Sequence, residues 1–164
     1  KRTELFTSSF AAVSNLAIAP LVGEELAISI TRGLALGLFA LIFSFLLLHL
    51  GKYFDGFLGA AYESIFFYLV VATLWFQPWY VTWIVALGAL QSRHQVRVRT
   101  ILFSLCAALS YLVWQFIINW TWGTLDWFTL NQLVVGIIFV APLAYSLRQH
   151  LQGRGTKNSK LGGF

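Results

Sequence analysis

The segment Gln77-Pro78-Trp79-Tyr80, followed by Trp83, holds the densest set of side chains in this sequence that could grip a ligand. Aromatic rings pack on the apolar faces of sugars, and a helix N-terminus is a natural seat for a phosphate. Pro78 sets such a terminus, because proline is preorganised for a first helical turn, where its missing N–H costs nothing. Two readings follow. Trp79, Tyr80 and Trp83 are an aromatic anchor at a membrane interface, the simpler reading on physics alone. Alternatively, with Gln77, they line a site for a sugar or a lipid phosphate.

Other reactive groups are sparse. Glu63 sits inside an apolar stretch, where an ionisable group is a functional candidate by default; pairing with Lys52 and snorkelling to the interface is the plainer reading. His49, His94 and His150 are scattered and Cys106 is the single cysteine, so no zinc site or disulfide framework is expected. Cys106, mid-span, reads as a small apolar filler. No Gly-rich phosphate cradle is present, and no cofactor is expected. Asn119-Trp120-Thr121 fits the N-glycosylation pattern, but such tripeptides are common by chance.

The elements that must position these residues are membrane helices. Hydrophobic residues make up 59% of the 164, charged residues 10%, and mean hydropathy is +0.75. A soluble domain carries roughly 25% charged residues. The net charge of +5 is concentrated in two places, Arg93–Arg99 and Arg148–Lys160. That is positive-inside patterning, which orients a membrane protein and argues against a nucleic-acid partner.

Residues 100–147 contain one charge, Asp126, near the middle. This predicts a hairpin of spans 100–118 and 128–147, joined by a turn rich in Trp120, Trp122 and Trp127, with Asp126 capping the second helix. Residues 33–51 form a further span of about 28 Å. Residues 57–92 are ambiguous: two short helices, 57–76 and 79–92, or one long helix kinked at Pro78. Charge favours the pair, because Lys52 then lies on the same side as both basic clusters. The expected fold is all-α, a polytopic bundle of about five transmembrane helices. Residues 1–32 precede it as an external or interfacial segment interrupted at Pro20. The bundle occupies 33–147, and 148–164 is a basic, mobile, cytoplasmic tail.

The run Trp75-Phe76-Gln77-Pro78-Trp79-Tyr80-Val81-Thr82-Trp83 resembles the Pro-Trp-Tyr element of bacterial GT-C glycosyltransferases, polytopic enzymes that use polyprenyl-phosphate sugars, such as the mycobacterial-type mannosyltransferases. The stretch Thr7–Asn15, ending in Ser14-Asn15, resembles an external loop of the same enzymes more loosely. Together the two stretches cover under a fifth of the chain. The resemblance implies a bacterial cytoplasmic membrane, a lipid-linked sugar donor, and Gln77, Trp79, Tyr80, Trp83 and Asn15 as substrate-binding residues. It also implies inversion at the anomeric carbon by a carboxylate that deprotonates the acceptor.

In that family the carboxylate usually lies in a first external loop, and no such loop is found here. Glu24 and Glu25 are the local candidates, although a solvated pre-helical cluster at the positive end of the 26–51 helix is the plainer reading. The sequence begins at Lys1 and contains no Met, which suggests a C-terminal piece supplying cavity walls. The competing expectation is a non-catalytic helical subunit of a larger membrane complex. A transporter fragment fits less well, since midplane polar groups are few.

Overall fold

The computed structural model describes residues 8–49, 54–120 and 126–161, and among these every regular element is helical. The chain runs through α1 (Phe10–Val22), α2 (Glu24–Leu48), α3 (Phe54–Phe67), a π-helical turn (Tyr68–Ala72) and a 3₁₀ turn (Pro78–Tyr80). It continues into α4 (Val81–Ala89), α5 (His94–Trp120) and α6 (Trp127–Leu161). Among the described residues three helices are long and apolar enough to cross a membrane: Glu24–Leu48, His94–Val113 and Trp127–Leu151. This is a membrane protein of all-α architecture.

Three is fewer than the five spans expected from the sequence. The expected pair between 57 and 92 is present as two helices broken before Pro78, but both are short, Gly56–Ala72 and Pro78–Ala89. A span needs roughly 20 residues. The reason is the break itself. Thr73 closes the π-turn, with its N–H and its hydroxyl both donating to the Tyr68 carbonyl, at 3.0 and 3.2 Å. Its extended backbone then carries the chain out of the helix, and Pro78 restarts it five residues later.

The depth of the resulting hairpin can be read from its packing. Trp79 stacks on Tyr111, ring centroids 6.4 Å apart. Tyr111 lies nine residues before the end of α5, so α5 continues about 13 Å past that level. The hairpin tip is therefore recessed below the end of α5. At its other end, Gly88 of α4 lies so close to α5 that a Cβ there would collide with the Thr100 side chain.

Helix α1 is better ordered than the sequence suggests. Ser9 caps it, its hydroxyl accepting from the Ala12 N–H at 3.0 Å. Pro20 does not interrupt it: α1 continues past that residue to Val22 and ends at Gly23, whose φ of 88° favours glycine. Helix α2 starts directly at Glu24 and carries Arg32 within it, so the second helix begins well before residue 33. Helix α6 continues past Arg148 to Leu161, so the backbone of the basic segment is an extension of the last span.

Inside the bundle the contacts are aromatic. Phe66, Phe76, Phe103 and Phe139 are buried at 1% exposure or less. Phe76, from the break, sits 5.9 Å from Phe103 and 5.2 Å from Phe139. In lipid, helix association rests on such close packing rather than on escape from water. Phe76 thus fastens the hairpin tip to α5 and α6.

Candidate functional site

Two polar regions stand at different heights in this bundle. The first surrounds the hairpin tip. Tyr80 lies between Phe76, 6.4 Å away, and Trp83, stacked at 5.1 Å. Trp79 and Trp83 remain 55% and 48% exposed, so half of each ring is free to meet something outside the chain. Gln77 is half-buried, in extended backbone immediately before the turn, and its carbonyl accepts from the Tyr80 N–H at 2.9 Å. The sequence-nominated residues Gln77, Trp79, Tyr80 and Trp83 therefore form one continuous group.

Asn15 is elsewhere. It is fully buried in α1, and among the described residues neither its amide nitrogen nor its oxygen finds a hydrogen-bond partner. Such an orphan is rare and costs on the order of 1–3 kcal/mol. The start of α1 touches the hairpin tip through Ser9, whose hydroxyl donates to the Leu74 carbonyl at 2.9 Å. It touches α6 through the Ser8 N–H, which donates to Asn131 Oδ1 at 2.9 Å. Beside α1 lies a largely apolar cavity of about 270 Å³, lined by Phe10, Ser14, Thr31, Leu38 and the π-turn residues Val70 and Val71. Thr31 is buried there with an unpartnered hydroxyl.

Glu24 and Glu25 open α2 and are exposed. Phe39 of α2 packs edge-on against Tyr68 at 5.5 Å, and a short link joins the end of α2 to the start of α3. The two helices thus run antiparallel, which carries the glutamates to the end of the bundle where Asp126 begins α6. Asp126 does cap that helix: the Thr129 N–H and hydroxyl donate to its carboxylate at 3.0 and 2.6 Å. These bonds hold its pKa below the ordinary carboxylate value.

The second region lies at the basic end and was not legible as a site. Arg99 is 9% exposed and forms an ion pair and hydrogen bond with Glu63. It also donates to the Ser146 hydroxyl at 3.3 Å and more weakly to the Tyr62 hydroxyl at 3.4 Å. The guanidinium lies 4.8 Å from the Tyr62 ring centre and 4.5 Å from that of Phe66, a cation–π cradle. Thr100 adds a hydroxyl bond to Tyr62 at 3.0 Å.

Glu63 pairs with Arg99; Lys52, the partner expected from the sequence, lies outside the described residues. In the sequence Arg99 reads only as one of the Arg93–Arg99 cluster that orients the chain, not as a partner for Glu63.

No family model, curated protein or solved structure matches this chain.

Proposed function

We propose that this chain forms substrate-cavity walls of a bacterial membrane glycosyltransferase that uses a polyprenyl-phosphate sugar such as a mannosyl donor. The observation that carries the reading is the recessed hairpin tip, which holds Gln77 beside half-exposed Trp79 and Trp83 below the end of α5. A sugar lying in that recess would stack on indole faces, and a phosphate would approach the start of the Pro78 turn. The positive-inside rule assigns the basic end to the cytoplasm, together with the C-terminus, and the hairpin tip and Glu24–Glu25 to the opposite side. The hairpin then enters and leaves on the cytoplasmic face without a further pair of crossings.

A second reading, a non-catalytic subunit of a membrane complex, draws on α2. That helix exposes Leu34, Leu36, Leu38, Leu41, Phe45 and Leu48 along its length, a surface for lipid or for a partner helix.

The two readings part in a binding experiment on the protein in nanodiscs with polyprenyl-phosphate mannose as probe. Trp79→Ala should weaken binding about tenfold, the loss of one stacked ring, with the oligomeric state unchanged. Absence of donor binding by the unaltered protein rejects the enzyme reading; loss of assembly alone supports the subunit.

A further inference from the structure

The basic end of the bundle contains a cavity of about 140 Å³ where α3, α5 and α6 meet, lined by Arg93, Val96, Arg99, Tyr145, Ser146 and Gln149, with Glu63 beside Arg99. It is the opposite of the apolar cavity beside α1. Its lining is more polar than apolar, and its volume suits a phosphate group with a few attached atoms.

Three features give it a preference for anions. Arg99, nine-tenths buried, has five N–H donors, of which three are directed to Glu63, Ser146 and Tyr62. Two are not engaged by any described residue, and Arg99 lines the cavity. Its charge is balanced by Glu63, so that pair contributes donors rather than net charge. Arg93 at the rim is exposed, and among the described residues no carboxylate pairs with it. That leaves one uncompensated positive charge at the mouth. Finally, α5 begins at His94 immediately beside the cavity. Arg93, the residue before it, has no side-chain acceptor to cap the first N–H groups, which attract an anion through the helix dipole.

We infer that this cavity binds a phosphate ester, and that its position where the apolar spans give way to arginines makes a membrane-lipid headgroup the ligand. The site is independent of the sugar-donor reading, which concerns the other end of the bundle. Arg93 supplies the attracting charge, Arg99 and the α5 N-terminus the directed donors, and Tyr145 and Gln149 the neutral ones; the Ser146 hydroxyl donates to the Pro142 carbonyl and steadies Arg99 as its acceptor. Glu63 keeps the Arg99 side chain in place through its ion pair.

The test is native mass spectrometry of the protein extracted from nanodiscs containing phosphatidylcholine and phosphatidylglycerol, with Arg93→Gln compared against Arg148→Gln. Both variants lose one positive charge at the same end, but Arg148 is not part of the cavity wall. The expected result is one retained phosphatidylglycerol, its retention reduced about tenfold by Arg93→Gln and little changed by Arg148→Gln. Equal losses in both variants, or equal retention of the two lipids, overturn the proposal in favour of diffuse attraction between a basic surface and anionic lipid. A competition arm with inorganic phosphate separates the sources. Displacement of the lipid at millimolar phosphate would show a soluble anion to be the ligand and overturn the headgroup assignment.

Discussion

The two halves of this bundle treat buried polar groups in opposite ways. At the basic end, Arg99, Glu63, Tyr62, Thr100 and Ser146 are joined in one network. Around α1, Asn15 and Thr31 are buried without partners among the described residues. The low dielectric of a membrane interior makes a satisfied network strong and an orphan expensive. The first region is therefore built to hold helices together. The second carries a standing cost that a bound polar group could relieve, and it adjoins the hairpin tip through Ser9.

The comparison can be broken first at Arg99. Arg99→Ala should destabilise the protein by about 3–5 kcal/mol, because it leaves Glu63 charged, half enclosed and alone. Thermal unfolding in detergent measures this. The double substitution Arg99→Leu with Glu63→Leu should recover most of the loss, since the pair rather than either charge is what the fold tolerates. A single variant as stable as the parent would mean that the network is not what secures the basic end.

Asn15 tests the other half, with the opposite sign expected. Asn15→Leu keeps the approximate volume and removes two unpartnered polar atoms, so stability should rise by about 1–2 kcal/mol. A fall instead would show that the amide is paired in the folded protein, and the contrast between the two halves would disappear. A rise in stability together with weaker donor binding would sharpen it, as expected where a functional site is held at the expense of stability.

These contrasts explain how much could be read from the sequence. The helical class and membrane setting follow from composition and charge placement. The division of 57–92 into two helices was legible from charge placement, which favoured the pair over one helix kinked at Pro78, and the cap at Asp126 because an Asp preceding an apolar run satisfies free N–H groups. The depth of the hairpin was not legible. Stretches 57–76 and 79–92 have the composition of short spans, and only the stacking of Trp79 on Tyr111 shows that the turn stops short of the end of α5. Nor was the Glu63 partner legible: Lys52 and Arg99 are equally cationic, and thirty-six residues of chain separate Glu63 from the one it meets. The Gln77–Trp83 group was found through residue types alone, whereas the Arg99 network required contacts between three helices.

The smallest expected effect is at Asp126, and it separates capping from charge. The carboxylate accepts two bonds from Thr129, and its pKa is lowered by them. A group with a lowered folded-state pKa stabilises the folded chain fully above its unfolded pKa, and that contribution fades as pH falls through the folded value. Acidification should therefore loosen the first turn of α6, seen as faster amide hydrogen exchange at Thr129 and Leu130 after correction for the intrinsic pH dependence of exchange. Asp126→Asn retains an oxygen acceptor without the titrating charge, and asparagine caps helices about as well as aspartate. Exchange in that variant should lose its corrected pH dependence while staying close to the parent value above the carboxylate range. If the variant frayed equally at all pH values, the negative charge at the helix start, rather than the oxygen, would be what holds the turn. The Trp-rich end of the bundle would then owe its order to the helix dipole.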